Sequence, residues 1–270
     1  MHALETSSLP QTEVREPKIV SIASGKGGVG KTWFSITLAQ ALARLGRNVL
    51  LFDGDIGLAN VDIQTGLDPA QDLRGVIDGH YSLDDAICSC GDTGFDVIAG
   101  RSGSGSRASI SNANLHFLMN EIFRVSQGYD HVLLDLSAGI DEAVRTLVCR
   151  ADVTYLVTND EPTAITDAYA LMKLTYQERP DADLRVVVNM APSQSGGQKT
   201  FATLSKVCNT FLSKEPALAG IIRRDEKVGH AIRRQSPLLT RYPGSVAGED
   251  VTAIAKRLST KRRSLQTANR

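Results

Sequence analysis

Eight consecutive residues near the start of the chain carry chemistry that depends on their order. They read Gly25-Lys26-Gly27-Gly28-Val29-Gly30-Lys31-Thr32 and fit the pattern G-x-x-x-x-G-K-[ST] of a phosphate-binding loop. Glycines let successive backbone N–H groups turn towards one point, and the helix that follows directs its positive end to the same place. Lys31 would neutralise the β- and γ-phosphates of a nucleotide, and the Thr32 hydroxyl would bind Mg²⁺.

Three aspartates lie at or just after the carboxyl ends of two predicted strands. In parallel sheets, ligands bind at this edge. Asp53 and Asp55 follow one apolar run, and Asp135 closes another. We expect Asp135 to hold Mg²⁺ through water, with a helix cap or a turn as the alternative. For Asp55 the alternative is a surface turn. Asn189 ends a further strand, and its amide would either face a purine or cap the next turn.

The spacing of apolar residues predicts the elements that position these side chains. Strands are predicted at 19–23, 49–53, 97–99, 132–135, 153–158, 186–189 and 220–222, and helices at 31–45, 113–126, 141–148 and 163–174. Buried strands that alternate with helices indicate an α/β fold, a doubly wound and mainly parallel sheet flanked by helices. Two segments rich in glycine and serine, 101–106 and 193–199, are predicted to be surface loops.

Composition limits the class of protein. With 270 residues and 42% hydrophobic content, the chain is long and apolar enough to form one domain with a single large core. We expect this domain to cover residues 18–259, with a polar N-terminal arm at 1–17 and a basic C-terminal tail at 260–270. Its 30 basic and 30 acidic residues balance, which argues against a protein whose main task is to coat nucleic acid. The four cysteines follow no secretion signal and indicate reduced thiols in a cytoplasmic protein.

Three motifs in this order resemble the MinD/ParA family of dimerising ATPases. Residues 24–32 look like the family's deviant phosphate loop, residues 53–62 resemble the segment that follows in its MinD branch, and residues 135–140 are similar to that branch's second switch. The resemblance runs from about residue 18 to about residue 258. Within the family it favours the FlhG/FleN regulators of flagellar number, on the stretches 187–191, 231–239 and 242–243.

The family resemblance implies a function for Lys26, the first of the two lysines in the loop. It implies that two subunits close over two ATP molecules and that each Lys26 reaches the phosphates bound by the other, as an arginine finger does. The alternative is a lysine that faces solvent. The resemblance also implies that Asp55 positions the attacking water, that Thr32, Asp53 and Asp135 serve the metal, and that Asn189 contacts adenine. The nucleotide-binding set then consists of loop residues 25–32 with Trp33 and Asn189.

These expectations combine into a slow ATP hydrolase that works as a switch. Its cofactors are ATP and Mg²⁺, and its partners are a second copy on ATP binding and a regulatory protein of the flagellum or cell pole. The alternatives are a MinD-type division-site regulator and a ParA-type partitioning ATPase. The latter would bind DNA, the less favoured partner, through basic residues, namely Arg223, Arg224, Arg233 and Arg234.

The C-terminal end and two departures from the family pattern complete the sequence prediction. Apolar residues recur at helical spacing, namely Val251, Ile254, Ala255, Leu258 and Leu265, beside the basic residues 256–257 and 261–263. They predict either a helix that docks on the cytoplasmic face of the inner membrane or an ordinary packed helix.

Leu136 stands where relatives have a small or polar residue. The arm lacks the Asp-Gln-Ala-containing motif through which FlhG acts on FlhF, which weakens the case for that partner.

Overall fold

The computed structural model describes residues 18–55, 59–100 and 110–260. Within these ranges the strands are β1 (Lys18–Ser24), β2 (Val49–Gly54), β3 (Ile87–Ser89), β4 (Asp96–Ile98), β5 (His131–Ala138), β6 (Val153–Thr158), β7 (Leu184–Ala191) and β8 (Ala217–Arg223). The helices are α1 (Lys31–Arg44), α2 (Val61–Thr65), α3 (Leu73–Ile77), α4 (Asn112–Ser126), α5 (Glu142–Arg150), α6 (Pro162–Glu178), α7 (Gln194–Leu212), α8 (Glu226–Arg233), α9 (Leu238–Arg241) and α10 (Val246–Ser259).

The strands form one sheet in the order β3-β4-β2-β5-β1-β6-β7-β8. Neighbouring strands are parallel except for the edge pair β3 and β4, and β3 is an element that the apolar pattern did not predict. The predicted doubly wound α/β fold is confirmed. The register of β2 against β5 places Asp53 directly beside Asp135.

Each central strand is covered on both faces. Alternate residues of β2 point to opposite layers. Leu50 and Phe52 belong to the buried cluster that includes α3 to α7, whereas Val49 and Leu51 belong to the cluster that includes α1 and α8 to α10. This arrangement explains why the strands read as continuous apolar runs. It also fixes the carboxyl edge of the sheet as the place where strand ends meet a helix N-terminus.

The prediction of a surface loop at 193–199 is wrong, because α7 begins at Gln194. The Ser193 hydroxyl accepts a hydrogen bond from the backbone N–H of Gly196 at 3.0 Å and caps the helix. The next glycine, Gly197, lies against β8, where a Cβ would come within 2.3 Å of Ile221 Cγ2. One of the two glycines that suggested a loop, Gly197, therefore serves close packing of a helix on the sheet. The other predicted loop, 101–106, lies outside the described residues.

The apolar face of helix α10 is packed inside the domain. Four of the side chains that suggested a membrane-docking helix are at most 5% exposed and pack with α1 and β8, namely Val251, Ile254, Ala255 and Leu258. For these four residues the packed-helix alternative is the one observed. Leu265, the basic residues 261–263 and the predicted arm at 1–17 lie outside the described residues. Across the described ranges, no helix is long and apolar enough to span a membrane.

The close approach of α7 to β8 yields a test of the corrected prediction. Gly197→Ala should lower the free energy of unfolding by about 1–3 kcal/mol, because the added methyl group meets Ile221. Gly244→Ala is the matched control: a Cβ there has no heavy atom within 4 Å, so a change within about 0.5 kcal/mol is expected. Urea denaturation followed by circular dichroism measures both. Equal stability of the two variants would contradict this packing.

Candidate nucleotide-binding site

The predicted phosphate loop connects the end of β1 to the start of α1. Gly28 and Gly30 have φ angles of 81° and 84°, which side chains disfavour. Gly25 passes so close to α6 that a Cβ would lie 2.3 Å from the backbone of Asp167. Because Gly30 occupies the N-cap position, it offers no side-chain acceptor to the first turn of α1. The N–H groups of that turn therefore suit an anionic ligand.

A buried ion pair joins the loop to the second predicted motif. Lys31 Nζ donates to Asp135 Oδ1 at 3.1 Å, and the hydroxyl of Ser35 donates to the same oxygen at 2.9 Å. The other carboxylate oxygen, Asp135 Oδ2, is buried and has no hydrogen-bond partner among the described residues. Sequence reasoning missed Ser35, although it lies one helical turn after Lys31, on the same face of α1.

Asp53 holds together the two sides of the segment that carries Asp55. One carboxylate oxygen accepts the backbone N–H of Asp55 at 3.2 Å, and the other accepts those of Asn60 and Val61, each at 3.1 Å. Burial, followed by the negative charge of Asp135, raises the pKa of Asp53 to about 7 from an ordinary value of 3.8, although the three N–H bonds oppose this. Asp53 thus anchors a segment whose middle, residues 56–58, lies outside the described part.

These groups fit a hard divalent cation. Asp135 Oδ2 is a buried acceptor that receives no hydrogen bond within the described ranges, and the partly exposed Thr32 is the first residue after Lys31. Lys31 balances the charge of Asp135, so an excess of negative charge arises at the strand ends when Asp53 loses its proton, near neutral pH. Mg²⁺ prefers oxygen ligands and keeps several waters, so it needs no cluster of protein side chains.

Lys26 contacts its own subunit in this structure. Its Nζ lies 2.6 Å from Glu161 Oε2 and 2.8 Å from the Thr163 hydroxyl, at the start of α6. The Asn159 amide in turn donates to the other oxygen of Glu161 at 3.2 Å. The side chain of Lys26 is 36% exposed, so it is paired at the rim of the site rather than simply solvated. Sequence reasoning missed Glu161 and Thr163, which follow the carboxyl end of β6.

Asn189 lies between the loop and a neighbouring cavity. Its amide donates to the carbonyl oxygen of Val29 at 2.8 Å and accepts the N–H of Met190 at 2.9 Å. Met190 has a φ of 56°, a strained value for a residue with a side chain. Asn189 therefore caps its own turn, one of the two predicted roles, and also supports the phosphate loop.

The cavity behind the loop has a volume of about 310 Å³. Gly30, Trp33, Asn189 and Met190 form the side nearest the loop, and the far wall comes from β8, α8 and the residues between them, namely Arg223, Arg224, Asp225, Val228, Gly229 and Ile232, with Ala247 of α10. The cavity is contiguous with the phosphate loop, as a site for the sugar and base of a nucleotide would be.

The basic residues proposed for DNA binding differ in their surroundings. Arg223 is paired with Asp250 of α10 through two hydrogen bonds from its guanidinium group, at 2.9 and 2.8 Å. Arg224, Arg233 and Arg234 are exposed.

Leu136, the departure from the family pattern noted in the sequence, is buried in the core beside Gly54. It extends β5 without disturbing the pairing of this strand with β2.

Comparison with known proteins identifies the family. The model of the CobQ/CobB/MinD/ParA nucleotide-binding domain matches residues 20–238. The chain belongs to this family. It is 39% identical to the antiactivator FleN of Pseudomonas aeruginosa, over 89% of this chain and 86% of that protein. It is 31% identical to the flagellum site-determining protein YlxH of Helicobacter pylori, over 90% and 82% respectively.

A solved structure supports the same assignment. A chain of the MinC:MinD cell division protein complex of Aquifex aeolicus matches with a TM-score of 0.73 and 27% identity, over 89% of this chain and 95% of that one. The predicted membership of the MinD/ParA family is confirmed, and with it a P-loop ATPase. The roles of individual site residues remain predictions.

Asp53 should titrate near neutral pH in the nucleotide-free protein. Between about pH 4 and 7 the folded protein holds a proton that the unfolded chain has released, so this group's contribution to stability falls as pH rises through that window. Asp135→Asn removes the neighbouring charge and should lower the pKa of Asp53. Carboxyl ¹³C shifts of aspartate-labelled protein measure both, with the exposed Asp181→Asn as the control. An Asp53 that titrates below about pH 5 would refute this account of its surroundings.

Proposed function

We propose that this protein is an ATP-dependent switch that dimerises on Mg-ATP and regulates the number or position of the flagellum. The observation that carries the switch is the position of Lys26, a cation at the rim of the phosphate loop with its ammonium 2.6 Å from a carboxylate of its own subunit. The similarity to FleN and YlxH supports the flagellar role.

In this proposal the loop residues 25–32 and Trp33 bind the nucleotide, and Asn189 lies beside its base. Lys31 neutralises the terminal phosphates, while Thr32, Asp53 and Asp135 hold Mg²⁺ directly or through water. The metal would offset charge on the phosphates when bound. Asp55 orients the attacking water, and its backbone bond to Asp53 ties it to the metal-binding edge of the sheet.

Dimerisation requires Lys26 to exchange partners. In the single chain its ammonium is bound by Glu161 and Thr163, whereas in the proposed dimer it contacts the phosphates bound by the other subunit. The pair with Glu161 is exposed, so breaking it costs little. The γ-phosphate carries more negative charge than one carboxylate. For this reason Lys26 leaves Glu161 for the nucleotide of the other subunit when that nucleotide is ATP, but not when it is ADP.

The partner is proposed to be a protein of the flagellar or polar machinery. The MinC:MinD cell division complex of Aquifex aeolicus supports recognition of a regulatory protein by this fold. We place the protein in the cytoplasm. The apolar face of α10 is packed in the core, so it is not available for a peripheral membrane contact.

Lys26→Ala should bind Mg-ATP yet remain a single chain, because the cation that bridges the subunits is gone. Glu161→Gln should strengthen ATP-dependent dimerisation roughly two- to fivefold, since it weakens the competing contact within the subunit. Sedimentation velocity over a range of protein concentrations in Mg-ATP and Mg-ADP measures both.

Arg185→Gln is a control for removal of an ion pair, because Arg185 pairs with Asp183 at the start of β7, at the edge of the sheet opposite to the loop. It should dimerise as the unaltered protein does. Dimerisation of Lys26→Ala in Mg-ATP, or weaker dimerisation of Glu161→Gln, would rule out the proposed exchange of partners.

The cellular role is tested by counting flagella in the source organism by electron microscopy. Removal of the gene should change their number or position, and Lys26→Ala at the native locus should reproduce that change. Unchanged flagella in both strains, with a defect in chromosome or plasmid inheritance instead, would favour the partitioning alternative.

A further inference from the structure

A buried hydroxyl, that of Ser35, joins helix α1 to strand β5. Ser35 is fully buried in the second turn of α1, one turn after Lys31. Its hydroxyl oxygen lies 2.9 Å from Asp135 Oδ1 and 3.1 Å from the carbonyl oxygen of Lys31. A hydroxyl has one proton, so it donates to one of these two acceptors at a time. The carboxylate is the stronger acceptor, because hydrogen bonds to charged groups are stronger than those to neutral ones.

Ser35 and Lys31 donate to the same oxygen of Asp135. Lys31 Nζ lies 3.1 Å from Oδ1, whereas none of the residues that the structure describes donates to the buried Oδ2. Alanine has a higher helix propensity than serine and would bury no polar group at position 35. The two donors fix the rotation of the carboxylate about its Cβ–Cγ bond. They therefore determine which of its oxygens stays without a donor.

The oxygen without a donor is the one that suits a cation. Asp135 lies directly beside Asp53 in the sheet, so two carboxylates are adjacent there. Mg²⁺ takes oxygen ligands, directly or through its waters. A side chain that serves a metal is held in place by hydrogen bonds to its other atoms, and loss of such a bond typically weakens metal binding ten- to a hundredfold.

We propose that Ser35 is a positioning residue for Mg²⁺: by holding Oδ1 of Asp135, it keeps Oδ2 for the metal or for a water bound to the metal. This inference rests on the proposed function, because it takes Asp135 to serve the metal of a bound nucleotide. Lys31 does not suffice for this task, because the proposed function also places its ammonium at the terminal phosphates. Ser35 itself contacts neither the metal nor the nucleotide.

The test separates the effect of the metal from that of the nucleotide. The affinity for ADP is measured by calorimetry in excess Mg²⁺ and in excess EDTA, and the ratio of the two affinities gives the gain from Mg²⁺. Ser35→Ala should lower this ratio about tenfold, because Asp135 loses the bond that orients it. In EDTA its affinity for ADP should stay within about twofold of the unaltered protein, because Asp135 serves the nucleotide only through the metal.

Thr37→Val is the matched control. Thr37 is fully buried two residues further along α1, and its hydroxyl donates to the carbonyl oxygen of Trp33 at 2.8 Å. Ser35 is placed to make the same kind of bond to the carbonyl oxygen of Lys31. Thr37→Val thus removes a buried hydroxyl from the same helix without touching the carboxylate, and it should leave the ratio unchanged. Circular dichroism verifies that each variant is folded.

A double variant tests whether Ser35 acts through Asp135. In Asp135→Asn the gain from Mg²⁺ should already be small, and adding Ser35→Ala should lower it by no more than about twofold. If the role of Ser35 were merely structural, the double variant would show the full additional loss, and this result would contradict the proposal.

Two further results would overturn the positioning role. One is a ratio in Ser35→Ala equal to that of the unaltered protein. The other is an equal loss of ADP affinity in Mg²⁺ and in EDTA. Failure of the unaltered protein to bind ADP, or to bind it more tightly with Mg²⁺, would instead refute the proposed function, and this inference with it.

Discussion

The site is built around charges that are buried at the carboxyl edge of the sheet. Asp53 and Asp135 are fully buried on adjacent strands, and a single lysine, Lys31, reaches between the loop and Asp135. Burying charge is costly unless each group finds partners. Ser35 and three backbone N–H groups supply some of these partners, yet one oxygen of Asp135 has none among the described residues. A bound cation would give this oxygen a partner, and phosphates would give Lys31 a second one. The ligand would thus offset part of the cost of burying these charges.

The same cluster explains how nucleotide occupancy can reach distant parts of the chain. Lys31 begins α1, Asp135 leads into the second switch motif, and Asp53 bonds both sides of the segment that carries Asp55. A change in charge at one of these groups therefore acts on the loop, on the start of α1, on the segment after β2 and on the end of β5. In the proposed dimer Lys26 would report nucleotide occupancy at the surface, because its contact with Glu161 is exposed and such pairs contribute little stability.

Much of this could be predicted from sequence because it depends on local patterns. The phosphate loop, the strand-end aspartates and the parallel sheet follow from glycine spacing and continuous apolar runs. The loop predicted at 193–199 failed because Gly196 and Gly197 were taken to break a helix, whereas Gly197 allows α7 to approach Ile221. The partners of Lys26 could not be predicted, since Glu161 and Thr163 are more than 130 residues from Lys26 in the chain. Ser35, the second donor at Asp135, was missed although it lies only one helical turn after Lys31.

The most direct test of the central claim is a calorimetric titration of Mg-ATP into the unaltered protein and into Lys31→Ala. The buried charge cluster predicts binding to the unaltered protein and an affinity at least roughly a hundredfold lower in Lys31→Ala, with the fold retained by circular dichroism. Lys26→Ala, measured alongside, should keep its binding. Tight binding of Mg-ATP by folded Lys31→Ala would contradict the account, because the nucleotide would then not depend on the lysine that joins the loop to Asp135.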